Sequence, residues 1–400
     1  MTYGIQNRHL VLGVCGGIAA YKSAELLRLL MKEHASVRVV MTENAGHFVG
    51  PMTFEALSNK PVCRTLFKAT DEAAVQHIHW AQEAEAVVIA PATANIIGKL
   101  AAGIADDALS TFMLAVTCPV LICPAMNTHM YESKQVQRNL ALLQEFGYAV
   151  LEPGAGELAC GTIGPGRLPE PAVILDALVD LLAPKDFSGR RVLITAGPTR
   201  EAIDPVRFIT NPSSGKMGYA VARAAVMRGA QVTLITGPTA LTPPLCVRTV
   251  QVTSAAEMAQ AVLQEMDRHD IIIKTAAVAD FRPAAVSDLK IKKEQAQLSI
   301  QLERTQDILR AVGERKKNQV LVGFAAETHS MDAFAAEKLK AKNLDMIVGN
   351  IVGGADAGFM SDTNRATFYF KDGTRQNIDL MPKIDLAHLL LDKVAELIFT

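Results

Sequence analysis

The sequence predicts an α/β protein made of two doubly wound domains in tandem, and three observations carry that prediction. Short apolar runs of about four to six residues alternate with helical stretches in both halves of the chain. The runs are continuously apolar rather than alternating, as strands buried on both faces of a parallel sheet require. The pattern breaks at a short polar segment containing Pro and Gly, "PKDFSGRR" (184–191), and then starts again.

In the first half "HLVLGV" (9–14) is the opening strand, a helix runs from about Ala19 to Glu33, and "SVRVVMT" (36–42) is the next strand. "AEAVVIAP" (84–91), a helix through "NIIGKLAAG", "CPVLICPAM" (118–126) and "YAVLEP" (148–153) continue the series, which closes with the helix "PAVILDALVDLLA" (171–183). "GELACGTIGPGRLPEP" (156–171) holds four glycines and three prolines and reads as a loop with one thiol, Cys160, in its middle. After the linker come "RVLITAGPTR" (191–200), a helix from Gly218 to Arg228 and "QVTLITGPT" (231–239). "DIIIKTAAVADFRP" (270–283), "QVLVGFAAET" (319–328) and "LDMIVGNIV" (344–352) add three buried strands. "RATFYFKDGTRQNIDL" (365–380) reads as a hairpin turning at Asp372-Gly373. The expected organisation is therefore a Rossmann-like domain at 1–183, a linker at 184–190 and a second Rossmann-like domain at 191–400 with a small appended β element.

Forty Lys and Arg balance 41 Asp and Glu, so the net charge is −1 and no global field draws the chain to nucleic acid or to anionic lipid. No stretch reaches the roughly 18 uncharged apolar residues of a membrane span. Six cysteines without a CxxC or a histidine pair at zinc spacing point to a reducing cytoplasm. Small molecules held by specific sites remain as partners, and in doubly wound sheets such sites lie at the carboxyl ends of the strands.

Several strand ends carry suitable residues. "GVCGGIAAYK" (13–22) is a strand, a turn at Gly16 and Gly17, and a helix start, where free N–H groups and the helix dipole favour a phosphate. It lacks the GxGxxG of dinucleotide sites, so a mononucleotide is the expected ligand. Thr42 ends the second strand, Thr93 and Asn95 in "APATANIIGKL" are cap-type donors, and Asn127 with Met130 in "PAMNTHM" forms a further polar strand end. His77 is either a base or a surface-helix histidine.

The ordered set GGIAAYK, HI, APATAN, GIADD, PAMNxxM and GELACGxxGxGRLPEP resembles the phosphopantothenoylcysteine decarboxylase family of FMN-dependent cysteine decarboxylases, over nearly all of residues 5 to 183. The resemblance implies FMN at Gly16, Gly17, Thr42, Thr93 and Asn95, His77 as the catalytic histidine, and Asn127 as the amide for the substrate carboxylate beside Met130. It implies that Cys160 supplies a proton when an ene-thiol is reduced. In that reaction the flavin takes a hydride from the cysteinyl carbon, CO₂ departs from the resulting thioaldehyde, and the hydride returns. A Gly/Pro-rich flap brings such a thiol to the substrate as it excludes water. Cys15 stands where the family usually has Ser or Thr, and the surroundings of Trp80, Glu83 and Glu85, and of Tyr131, also depart from its pattern.

In the second half "FITNPSSGKMGYA" (208–220) offers Ser213, Ser214 and Gly215 to a phosphate at a helix start, and Asn211 to a substrate. Asp280 ends a strand, placed for a ribose hydroxyl or a metal, and Lys290, Lys292 and Lys293 form a basic cluster. Lys338 and Lys342 lie four apart, on one face of a helix. With TxDIL and VGFAAET these segments resemble the phosphopantothenate–cysteine ligase family over residues 190 to 398, which in bacteria is commonly fused behind the decarboxylase. The resemblance implies CTP as co-substrate, with Lys290 forming an acyl-cytidylate and Asn211 used in its conversion to product. It implies nucleotide contacts at Asp280, Thr305, Gln306, Asp307, Ile308, Phe324, Lys338 and Lys342, Arg207 on the substrate phosphate, Mg²⁺ at Asp280, and a homo-oligomer. The expected function is two consecutive steps of coenzyme A biosynthesis: L-cysteine is ligated to 4′-phosphopantothenate, and the product is decarboxylated to 4′-phosphopantetheine. A tandem NAD(P)-dependent oxidoreductase is disfavoured by the missing GxGxxG, and a non-catalytic regulatory protein by the presence of His77, Asn127 and Cys160. A decarboxylase acting on peptide C-terminal cysteines is disfavoured by the ligase-like half.

Overall fold

A computed structural model describes residues 4–65, 76–157, 161–291, 299–327, 331–351 and 360–399. They fall into two units, Met1–Ala183 and Pro184–Thr400. The first unit runs β1 (His9–Val14), α1 (Ala20–Lys32), β2 (Ser36–Met41), α2 (Pro51–Ser58), α3 (Gln76–Glu83), β3 (Ala86–Ala92), α4 (Ala94–Ala102), α5 (Ala108–Leu114) and β4 (Val120–Pro124). It continues with α6 (Thr128–Tyr131), α7 (Lys134–Glu145), β5 (Ala149–Val150), β6 (Gly154–Glu157), β7 (Ile163–Arg167) and α8 (Pro171–Leu182). Five parallel strands form a sheet in the order β2-β1-β3-β4-β5. That order puts the switch in winding direction between β1 and β3, where a crevice opens at the strands' carboxyl ends.

The apolar runs are continuous because the sheet is covered on both faces. Leu10, Leu12 and Val14 of β1 pack with Leu26, Leu27 and Leu30 of α1 and Ile174 and Leu178 of α8. Val11, one residue out of phase, packs with Ile96 of α4, Phe112 of α5 and Leu140 of α7.

The second unit runs β8 (Arg191–Ala196), β9 (Arg200–Ala202), β10 (Phe208–Thr210), α9 (Lys216–Met227), β11 (Gln231–Thr236), β12 (Val247–Gln251), α10 (Ala255–Glu265), β13 (Ile271–Lys274) and β14 (Phe281–Pro283). There follow β15 (Leu302–Arg304), α11 (Ile308–Arg315), β16 (Val320–Glu327), α12 (Met331–Ala341), β17 (Met346–Ile351), β18 (Thr363–Phe370), β19 (Arg375–Pro382) and α13 (Lys383–Phe399). Its sheet order is β12-β11-β8-β13-β16-β17-β18-β19. The first six strands are parallel and the last two antiparallel, so the winding reverses between β8 and β13. Gly218 lets α9 lie close on this sheet, since a Cβ there would sit 2.5 Å from that of Ala196 and 2.4 Å from Thr275 Oγ1.

Both sheets are doubly wound, as expected, but two local readings change. The Gly/Pro-rich loop contains a β-hairpin, with β6 and β7 antiparallel. Gly and Pro are tolerated because a two-stranded ribbon leaves one edge of each strand without a ladder partner. The hairpin at Asp372-Gly373 is the β element appended to the second domain: β18 pairs antiparallel with β17 and, with β19, extends the edge of the main sheet. The segment 184–190, read as a linker, contributes a buried residue, Phe187. Arg228, also buried, stacks over that ring and bonds Asp186, Asp392 and the His388 carbonyl, which satisfies its charge and ties the segment to α9 and α13.

Candidate functional site

In the first unit the ends of β1, β2, β3 and β4 surround a cavity of about 780 Å³, lined by Gly16, Gly17, Thr42, Thr93, Asn95, Asn127 and Met130 among others. Five expected cofactor positions and two substrate positions thus meet in one place. Gly16 is required by close approach, because a Cβ there would lie 2.6–2.8 Å from Asn44 atoms, backbone included. The Thr42 hydroxyl is buried and without a hydrogen-bond partner among the described residues. Thr93 was expected to donate; instead its Oγ1 caps α4, accepting from Ile96 N–H at 3.5 Å, because the free N–H groups of a helix start need acceptors. Asn127 Oδ1 likewise caps α6, accepting from His129 N–H at 2.8 Å, and its Nδ2 donates to Thr162 Oγ1 beside the hairpin at 3.5 Å.

The two lysines of this cavity are neutralised internally. Lys22 bonds Glu170 at 2.8 Å and the Leu168 carbonyl at 3.3 Å, clamping α1 to the chain leaving the hairpin. Lys99 pairs with Asp106 at 2.6 Å and Asp107 at 2.7 Å, and these bonds raise its proton affinity. Burial pushes the Asp107 carboxyl up, but Lys99 and the capped N–H of Ser110 outweigh it and leave it below the usual range. Burial drives the Cys15 thiol up to about 12, against opposing hydrogen bonds from Thr93, so this cysteine is an inert neighbour of the cofactor turn. The sequence reading missed Lys22, Asn44, Lys99 and the Asp106–Asp107 pair, although the last stands within the quoted GIADD. The His77 side chain, on α3, and Cys160 lie outside the described residues.

In the second unit two cavities, of about 460 and 410 Å³, share Lys274, Val278, Asp280, Phe324, Ala325 and Lys338. The first adds Thr305, Gln306, Asp307, Ile308 and Lys342; the second adds Asn211, Ser213, Ser214 and Gly215. Thr305 fixes the first rim by donating from Oγ1 to the Ala279 carbonyl at 2.6 Å. Asp307 caps α11 and pairs with Lys342 at 2.7 Å. Burial raises the Asp307 carboxyl and these bonds lower it further, so the net displacement is downward. Asn211 Nδ2 donates to the Val278 carbonyl at 3.0 Å, fixing the amide against the loop after β13. Lys290 and Arg207 are not among the residues lining the two cavities. Arg207 bonds the Ile291 carbonyl at 3.3 Å and faces Asp204 at 3.7 Å. Lys292 and Lys293 lie outside the described residues. Lys274, which ends β13, went unnoticed in the sequence; its only signal there is a charge closing the apolar run "DIIIK". Among the described residues no helix is long and apolar enough to cross a membrane.

Two family models divide the chain. The Flavoprotein family matches residues 2–183, and the DNA/pantothenate metabolism flavoprotein C-terminal domain matches 187–398. The coenzyme A biosynthesis bifunctional protein CoaBC of Bacillus subtilis is 50% identical, covering 98% of this chain and 98% of its own length. The chain belongs to the CoaBC family. The CoaBC proteins of Vibrio cholerae and Escherichia coli K12 are 46% and 44% identical, each over 98% of this chain and 99% and 97% of their own. As a member of this family the chain is a bifunctional enzyme of coenzyme A biosynthesis, a decarboxylase and a ligase. The strand-end polar groups of both sheets are the places in the CoaBC fold where such chemistry can be seated.

Proposed function

We propose that residues 191–400 ligate L-cysteine to 4′-phosphopantothenate with CTP, and that residues 1–183 decarboxylate the product to 4′-phosphopantetheine with FMN. One observation carries the division: in the first cavity Lys22 and Lys99 are paired with carboxylates among neutral polar groups, whereas the second pair of cavities gathers Lys274, Lys338 and Lys342, and Lys274 has no ion-pair partner among the described residues. The flavin cavity fits its ligand on two counts, the partnerless hydroxyl of Thr42 and the close approach that keeps Gly16 free of a side chain.

In the first unit Gly16 and Gly17 present backbone N–H groups to the flavin phosphate, and Thr42, Thr93 and Asn95 bind the rest. The bound flavin supplies the electron sink that a simple carboxylate lacks. Asn127 Nδ2 orients the departing carboxylate beside Met130, His77 manages the proton at the thiol end, and Cys160 returns a proton from the hairpin segment. In the second unit Asp307, Lys342 and Lys338 seat the nucleotide with Phe324, Thr305, Gln306 and Ile308. Lys290 assists formation of the acyl-cytidylate, and Asn211 holds the acyl group during its transfer. Arg207 holds the phosphate of phosphopantothenate. Asp280 is the residue that would hold Mg²⁺, which would offset negative charge on the nucleotide phosphates. The same reading makes the enzyme a cytoplasmic homo-oligomer.

The experiment supplies 4′-phosphopantothenate, cysteine, Mg²⁺ and CTP and follows pyrophosphate and CO₂ separately. Wild type is expected to release both. Cys160→Ala is expected to lower turnover to 4′-phosphopantetheine, and Lys290→Ala to suppress both CO₂ and pyrophosphate at their common source. Pyrophosphate without CO₂ from flavin-loaded enzyme would remove the decarboxylase reading.

A further inference from the structure

Lys274 is the last residue of β13, hydrogen-bonded between β8 and β16 at the point where the second sheet reverses its winding. Its side chain is half-buried and lines both cavities, the one with the nucleotide-type residues and the one with Asn211. Most cations nearby are committed: Lys342 to Asp307 at 2.7 Å, and Lys216, in the second cavity, to Asp362 at 2.6 Å. Lys274 forms no hydrogen bond or ion pair with any described residue.

We propose that Lys274 is the catalytic base of the aminolysis step, taking the proton that cysteine's amine must lose as it attacks the acyl-cytidylate. The proposal rests on the ligase reading above. In this step the amine nitrogen bonds to the acyl carbon, and the carbon–oxygen bond to the phosphate breaks with its electron pair leaving on CMP. The proton shed by nitrogen passes to Lys274 Nζ and then to solvent. A residue open to both cavities is placed to reach an anhydride that joins nucleotide and acyl group. A lysine serves here because its proton affinity responds strongly to surroundings.

Those surroundings favour the neutral amine. Burial first, and the Lys342 ammonium second, bring Lys274 down to about 8, against the pull of Asp307 and Asp280. Lys338 joins Lys342 from α12, Arg304 faces the first cavity from β15, and Lys216 and Lys383 face the second. The cationic groups oppose the rise that a bound phosphate would cause.

The test separates the half-reactions in full-length protein. Phosphopantothenate-dependent exchange of labelled pyrophosphate into CTP reads the first, and consumption of accumulated acyl-cytidylate on adding cysteine reads the second. Lys274→Met and Lys274→Arg are both expected to slow the second by roughly 100- to 10,000-fold and the first far less. Persisting exchange also shows that the variants are folded. The wild-type rate of the second step is expected to rise with a limb near pH 8, absent from both variants. Wild-type aminolysis in Lys274→Arg would show that only charge is needed and overturn the proposal. So would equal loss of both half-reactions, the mark of a nucleotide ligand, or an unaffected second step in Lys274→Met. If wild type itself forms no acyl-cytidylate, the ligase reading falls, and the proposal with it.

Discussion

The two units use the same architecture, polar groups at the carboxyl ends of parallel strands, but treat charge in opposite ways. Around the first cavity Lys22 answers Glu170 and Lys99 answers two aspartates, so both lysines are paired before any ligand arrives. Around the second crevice Lys274 has no partner among the described residues, and Lys342 shares its wall. The difference teaches what each site expects. Backbone turns and hydroxyls suit a cofactor that stays; a wall of several lysines, one of them without an ion-pair partner among the described residues, suits a polyanion that comes and goes and a proton that must be taken up.

The largest expected effect comes from filling the first site's closest approach. Gly16→Ala places a methyl group under 3 Å from Asn44, and it is expected to abolish flavin binding, read from the visible absorbance of the purified protein, while pyrophosphate release continues. Retained flavin would break the assignment of that turn.

The second unit also depends on a buried cation, Arg228, whose neighbour His388 is held neutral by burial and then by Arg228 and Arg223, its pKa lowered to about 4. Below the ordinary histidine value the unfolded chain takes up a proton that the folded one refuses. Stability is therefore lost as pH falls from 6.5 toward 4, by about 3 kcal/mol at the lower end. Hydrogen exchange across that range should show this loss in the second unit, and His388→Gln should reduce it. The same loss in His388→Gln would remove this residue as the cause.

Smaller again is the expected effect of Lys342→Ala. It removes a nucleotide cation and leaves Asp307 unpaired, raising KM for CTP roughly 10- to 100-fold in steady-state assays. Flavin content should not change. Raised salt should weaken CTP binding and spare the flavin, since exposed charges are the ones screened. The smallest effect is the most diagnostic. Thr42→Val removes a hydroxyl that bonds none of the described residues, so flavin-free stability should hold or rise by up to about 1 kcal/mol. Flavin affinity should fall roughly 10-fold, measured by fluorescence titration. Equal loss with and without flavin would mean that the hydroxyl serves the fold.

The sheets were legible because each buried strand is a local apolar run, from "HLVLGV" to "LDMIVGNIV". What escaped was short or partly exposed: β12 reads "VRTVQ" at a sheet edge, and β9, β10, β14 and β15 have three residues each. Hairpin strands β6 and β7 escaped because Gly and Pro give no strand signal. Gly16, Thr42, Thr93, Asn127 and Asp280 could be named in advance because strand ends mark them locally, and Phe324 and Lys342 because the ligase resemblance marks them. Lys274 could not, since its meaning lies in the strands that flank it, a fact of topology. Lys290 and Arg207 were named in advance from motif resemblance, yet stand away from the lining of the two cavities.

The separation of the two chemistries is tested most directly by a pair of variants and a pair of products. Gly16→Ala and Lys342→Ala are each assayed for pyrophosphate from CTP, phosphopantothenate and cysteine, and for CO₂ from supplied phosphopantothenoylcysteine. The account predicts that Gly16→Ala loses only CO₂ and that Lys342→Ala, at subsaturating CTP, is impaired only in pyrophosphate. Loss of both products in either variant would contradict it.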